Sequence, residues 1–123
     1  MREKEKAKTR NARLINLNKN LRRIAKNKAS PFWGAVREKL MTVRRKKITV
    51  NVAKINRYTL EGDTVVVPGK VLSLGSLSHT VVVAAYDFSD AAIEKIKNLG
   101  GEAISIEELA ERNPKGKGLK IIA

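Results

Sequence analysis

Few of the residue types that make or break bonds occur in this chain, and they do not converge. There is one histidine, His79, at the start of an apolar run, and there is no cysteine. Without thiols there is no disulfide, thiolate zinc site or Cys nucleophile, which is compatible with a reducing cytoplasm. A metal centre needs several ligands together, and a lone histidine is more often structural or exposed. A Ser-His-Asp site would have to draw on Ser76 or Ser78, His79, and Asp63 or Asp87. Adjacent strand residues point to opposite faces, which disfavours Ser78 with His79, and no nucleophile-elbow pattern is present. Asp87, Asp90, Glu94, Glu107, Glu108 and Glu111 fall near helix starts or on exposed helix faces, where caps and the helix dipole account for most of them. No catalytic residue, metal, cofactor or small-molecule substrate is expected.

What the chain has in excess is cations. Up to and including Lys47 there are 17 Lys/Arg against three Asp/Glu, and after it nine against nine, so the whole formal charge of +14 lies in residues 1–47. A sequence pI near 10.4 with the charge gathered on one side points to a polyanionic partner. Solubility alone does not require one sign concentrated on one half. Phosphate neutralisation needs Lys/Arg dense enough to follow a backbone, because each contact releases condensed counterions. Arg10, Arg13, Lys19, Arg22, Arg23, Lys26 and Lys28 supply that density first, then Arg37, the run Arg44-Arg45-Lys46-Lys47, Lys54 and Arg57. The planar fork of arginine binds phosphate bidentately and stacks on bases. Such a stripe carries no base-edge code, so recognition of folded RNA by shape and backbone is the natural reading. Two glycine loops add Lys70 (Pro68-Gly69-Lys70) and Lys115 and Lys117 (Lys115-Gly116-Lys117-Gly118). Neither has the full Walker spacing; each is either a phosphate cradle or an ordinary tight turn.

These residues must be positioned by a body of 123 residues, most simply one domain with an arm. With 42% hydrophobic but only 4% aromatic residues, its core is built from Val, Ile, Leu and Ala. Residues 1–8 have no apolar face and are expected to fray. Residues 9–28 read as a helix with Leu14, Leu17, Leu21, Ile24 and Ala25 in one arc. Ser30-Pro31 starts a second helix, Ser as N-cap and Pro at the first helical position. Phe32, Trp33, Val36, Leu40 and Val43 share its face; an aromatic pair at helical spacing is core more often than a base-stacking platform. Ile48, Val50 and Val52 alternate as a short strand, and 53–59 form a helical turn. Thr64–Val67 is a buried β-branched run that Pro68-Gly69 breaks, with Val71-Leu72 a separate strand. His79–Tyr86 is the next strand. Ser89 caps a helix lined by Ile93, Ile96 and Leu99 and ended by Gly100-Gly101. Glu102–Ser105 is a strand, Ser105–Glu108 a capping box, Pro114 a stop, and Leu119–Ile122 a last strand. The alternation argues an α/β body with helices over at least one face of a small sheet, residues 48–123, preceded by a basic helical N-terminal extension, residues 1–47. No apolar run approaches the roughly 20 residues that span a bilayer, and no signal peptide is expected.

At residues 51–72 the pattern becomes specific. Asn51-Val-Ala-Lys-Ile55-Asn56-Arg57 followed by Gly62-Asp63-Thr-Val-Val-Val-Pro68-Gly69-Lys70-Val-Leu72 resembles the large-subunit ribosomal protein L-eighteen-e family. Pro31-Phe32-Trp33, His79-Thr-Val-Val-Val-Ala-Ala and Asn113-Pro-Lys-Gly-Lys-Gly118 fit the same family, so the resemblance covers nearly the whole chain. It implies a fold of irregular β-β-α units shared with the L-fifteen-p family, a basic extension laid against large-subunit ribosomal RNA, neighbouring large-subunit ribosomal proteins as partners, and a place on cytoplasmic ribosomes. The length looks like the archaeal form. Val43 stands where relatives often have a proline, so a helix-breaking residue is missing, and Arg44–Lys47 is either a helix end or an extended strand. The leading expectation is a structural RNA-binding protein. Two alternatives compete: a small RNA- or nucleotide-processing enzyme using Pro68-Gly69-Lys70 beside Asp63 or Asp87, and a general nucleic-acid compaction protein. Membrane-surface binding by helix 9–28 is the weakest reading.

Overall fold

A computed structural model describes residues 3–27, 30–42 and 48–123, those of 3–11 and 42 by backbone alone. The element order is α1 (Glu3–Asn27), α2 (Pro31–Thr42), β1 (Thr49–Asn51), α3 (Val52–Tyr58), β2 (Thr64–Leu72), β3 (Val82–Phe88), α4 (Asp90–Asn98), β4 (Glu102–Ser105), α5 (Ile106–Arg112) and β5 (Leu119–Ile121). The long strand β2 is the axis. β3 pairs with it along one edge, and β4 pairs with β3. Two short strands share its other edge, β5 at Thr64–Val66 and β1 at Lys70–Leu72. Every one of these pairings is parallel, and parallel sheets need cover on both faces.

Side chains alternate along the strands accordingly. Val66, Ala84 and Ile104 face one core cluster, formed with Leu17, Leu21 and Ile24 of α1, Trp33, Val36 and Leu40 of α2, and Ile106, Leu109 and Ala110 of α5. Val65, Val67, Val83 and Ala85 face the other, with Val52 and Ile55 of α3 and Ala92 and Ile96 of α4. The α/β class with a small sheet and preceding helices is as expected, with helices on both faces. Trp33 is core: fully buried, with Nε1 donating to the Asn113 carbonyl at 2.8 Å.

Several boundaries differ from the sequence reading. α1 begins at Glu3 rather than near residue 9. Pro68-Gly69 does not end a strand; β2 runs through it. The register with β3 steps between Val67↔Ala85 and Lys70↔Asp87, so the proline sits in a bulge where its missing N–H is tolerated. Gly69 is there because β1 crosses close: a Cβ would lie 2.2 Å from the Ile48 carbonyl oxygen, which accepts the Lys70 N–H at 2.9 Å. β3 starts at Val82, three residues after His79. Ser89 and Ser105 cap as expected, accepting from Ala92 N (3.2 Å) and Glu108 N (3.1 Å). The buried face of α4 is Ala92 and Ile96, while Leu99 is exposed.

Candidate nucleic-acid interface

The residues that might have made an enzyme are held in structural roles. Thr59, buried at the end of α3, donates its one hydroxyl proton to the Ile55 carbonyl at 2.7 Å, so at 2.6 Å His79 Nε2 must be the donor to it. Ser78 bonds Asn56 Oδ1 through both its amide (3.0 Å) and its hydroxyl (2.9 Å). Asp63 accepts from the Leu60 amide and from Lys120 Nζ, each at 2.9 Å, and these two bonds hold its carboxyl below the usual carboxylate range. Pro68 and Gly69 are buried in β2, with only Lys70 reaching solvent, so this segment is not a phosphate cradle. Among the described residues no His/Asp/Glu group is arranged to hold a metal ion.

The cations form a surface instead. On α1, Leu17, Leu21 and Ile24 face the core. At 100° per residue Lys19, Arg22, Arg23 and Lys26 fall in one stripe on the opposite side, and all four are exposed. Arg23 is steadied by Asn20 Oδ1 at 2.7 Å, one turn back. A recess lined by Arg23, Asn27 and Pro114 brings the end of this stripe beside the Lys115–Gly118 loop. That loop is built by Asn113. Its Oδ1 accepts from Gly116 N (3.1 Å) and Lys117 N (3.3 Å), and its Nδ2 donates to the Lys117 carbonyl at 2.9 Å. It meets α2 and the residue before it at three points. The Ser30 hydroxyl donates to the Lys115 carbonyl at 3.1 Å, Trp33 holds the Asn113 carbonyl, and Gly116, at φ 71°, lies so close that a Cβ would meet Phe32 Cβ at 2.8 Å. The loop amides of Gly116 and Lys117 are thus occupied internally, while Lys115 and Lys117 are exposed.

The other predicted residues are distributed more widely. Lys54 and Arg57 are exposed on α3, over the opposite sheet face, and Lys54 Nζ meets the Ala123 carbonyl at 2.5 Å. Arg37 is half-buried and donates to Asn18 Oδ1 at 2.6 Å, tying α2 to α1. Arg13 is committed inside the fold. Its Nε and Nη2 meet the two Glu107 carboxylate oxygens at 2.9 and 3.2 Å, its Nη1 donates to the Tyr86 carbonyl at 2.8 Å, and its guanidinium lies 4.2 Å from the Tyr86 ring centroid. The hydrogen bond to Glu107 raises the Arg13 pKa further. Burial pushes the Glu107 carboxyl up, but the Arg13 hydrogen bond, its own amide and the Coulombic attraction of Arg13 outweigh this and leave it below its ordinary value. Lys28 and Arg44–Lys47, with the question of whether the latter run is helical or extended, lie outside the described residues, as does the side chain of Arg10.

Comparison with known proteins decides among the functional classes. A family model described as "Ribosomal protein 60S L18 and 50S L18e" matches residues 1–123. The chain belongs to this family. Within the L18/L18e family it is similar to the large ribosomal subunit protein eL18 of Methanococcus maripaludis, with 48% identity over 95 residues, 77% of this chain and 79% of the relative. It is also similar to the eL18 proteins of Methanospirillum hungatei, 43% identical, and Methanoregula boonei, 40% identical, each over 112 residues, 91% of this chain and 93% of the relative. These are ribosomal proteins rather than enzymes, and the RNA- or nucleotide-processing alternative falls. No helix among the described residues is long and apolar enough to cross a membrane.

Sequence reasoning missed the Arg13–Glu107–Tyr86 clamp and the organising role of Asn113. Arg13 and Glu107 are 94 positions apart, and no local pattern signals such a pair. Asn113-Pro114 after a helix is a turn signal, and that much of the Asn113 role was available.

Proposed function

We propose that this protein is a structural component of the large ribosomal subunit that binds folded large-subunit ribosomal RNA by neutralising its phosphates, and that it resides on cytoplasmic ribosomes beside other large-subunit proteins. Residues 1–47 serve as the polyanion-seeking extension and 48–123 as the α/β body, a division of charge within one shared core. One observation carries the reading. Lys19, Arg22, Arg23 and Lys26 lie opposite the buried face of α1 and are continued by Lys115 and Lys117, on a loop fixed to α2. Cations far apart in sequence on rigid elements suit a ligand of fixed shape. A free polyelectrolyte tail would need no such placement.

The contact set comprises Arg10, Lys19, Arg22, Arg23, Lys26, Lys28, Arg37, Arg44, Arg45, Lys46, Lys47, Lys54, Arg57, Lys70, Lys115 and Lys117. Arg13 acts at its base, holding α1 to the body. The test is salt-dependent binding to deproteinised large-subunit ribosomal RNA. Changing Lys19, Arg22 and Lys26 together to Ala touches no core residue and should flatten the log–log salt slope by about 0.7–0.9 for each lost contact. An unchanged slope removes the stripe from the interface. Equal affinity for duplex DNA in competition would favour general compaction, and absence of the protein from the sedimenting large-subunit peak would overturn the reading.

A further inference from the structure

The proposed contacts on α1 and the Lys115–Gly118 loop lie on the α1/α2/α5 side of the sheet. On the opposite side α3 carries an exposed aromatic ring that the function has not absorbed. Of the five aromatic residues, Trp33 is buried, Phe32, Tyr86 and Phe88 are half-buried, and Tyr58 is 56% exposed. Leu60, two residues on, is 73% exposed. α3 cannot turn these side chains inward. Its inner face is already filled by Val52 and Ile55, and buried Thr59, bonded to Ile55 and His79, fixes how the chain leaves the helix. Tyr58 therefore stands on a held element rather than a loose loop. Lys54, one turn back on the same side of α3, and Lys120 of β5 line a shallow recess with it, and Arg57 is exposed next to it.

We propose that Tyr58 stacks an unpaired nucleobase of RNA while Lys54 and Arg57 hold the adjoining phosphates, a second contact on the far side of the sheet from α1; Lys120 beside them is paired with Asp63. This contact rests on the reading that the chain binds RNA. The surface has what single-strand recognition requires: a π-face for any base, with cations around it to follow the backbone. An apolar protein partner would leave Arg57 facing it without a counter-charge and would have to cover the Lys120–Asp63 ion pair. The base is identified only as one free of a duplex, because a paired base has no open face.

The test uses the full chain and deproteinised archaeal large-subunit ribosomal RNA. Tyr58→Ala, an exposed change whose folding is checked by far-UV circular dichroism, should weaken binding roughly 5- to 150-fold and leave the log–log salt slope unaltered, because no phosphate contact is lost. Tyr58→Phe keeps the ring and should bind within about twofold of the unaltered chain. Lys54→Ala should instead flatten the slope, by about 0.7. If Tyr58→Ala binds as tightly as the unaltered chain while the α1 stripe variant binds less, stacking is refuted and the proposed function stands. If Tyr58→Ala binds RNA normally but fails to enter the large subunit, the surface takes a protein and the inference is refuted. If the unaltered chain does not bind this RNA, the underlying reading falls and the inference with it.

Discussion

Trp33 joins the core to the cationic loop, and two substitutions there separate its roles. The indole is fully buried among α1, α2 and the sheet, and its N–H holds the Asn113 carbonyl at 2.8 Å. Trp33→Ala removes the ring and should cost about 3–5 kcal/mol. With a urea m-value of about 2 kcal/mol/M, that is a fall of about 2 M in the denaturation midpoint, against a total stability of roughly 5–15 kcal/mol. Trp33→Phe keeps most of the apolar volume but leaves the Asn113 carbonyl with the Gly116 N–H (3.1 Å) as its remaining donor, a loss of about 0.5–1.5 kcal/mol. The assay is urea unfolding followed by far-UV circular dichroism, since the protein's one tryptophan is lost in both variants. Hydrogen exchange adds a local readout: in Trp33→Phe the Gly116 and Lys117 amides should exchange faster, because the Asn113 that accepts them is no longer held. A midpoint unmoved by Trp33→Ala would refute burial, and unaltered exchange in Trp33→Phe would refute the indole as anchor of the loop.

Two glycines should respond to alanine with opposite signs in the same unfolding assay. Gly69→Ala drives a Cβ into the Ile48 carbonyl and should cost about 1–3 kcal/mol by overpacking, whereas Gly34→Ala, inside α2 with its nearest neighbour at 3.8 Å, should stabilise by about 0.5–1 kcal/mol. The Glu107 carboxyl is held below its unfolded value by Arg13, so its contribution is present above the unfolded pKa and lost as pH falls through the folded one. Between pH 6 and 3 the unaltered chain should therefore lose more stability than Glu107→Gln. With side chains 38% and 35% exposed, the difference should be no more than about 1 kcal/mol after solvent screening. Equal acid sensitivity of the two proteins, measured as urea midpoints, would remove this ion pair from the stability balance.

The elements legible in the sequence were those whose cause is local. Ser89 and Ser105 cap helices because a side-chain oxygen meets an amide three residues on, and such spacing is visible in one dimension. Val65, Val66 and Val67 were readable as a strand buried on both faces from their type alone. Pro68-Gly69 misled because the same pair that ends a strand in isolation makes a bulge when a neighbour, here Ile48, crosses over it. Leu99 extends the period of Ile96 yet is exposed, since the packed face of α4 is set by what the sheet presents to it. For the candidate interface, the charge division at Lys47 pointed to a polyanionic partner. Whether a given cation is offered or internal depends on partners far away in sequence, and Arg13 and Lys19, alike in the sequence, differ for that reason.

The sharing of one edge of β2 by β1 and β5 bears on how the molecule is made. Strand pairs involving residues 49–105 can form among segments already synthesised, but the Thr64–Val66 half of that edge stays unpaired until residues 119–121 are added. An open edge of this kind is a template for wrong partners, and closing it late brings together distant parts of the chain, a slow class of event. The loop carrying Lys115 and Lys117 lies between α5 and β5, so it is pinned at both ends only after that closure. The joined cationic surface is therefore a property of the folded molecule: a partially folded one presents the α1 stripe alone.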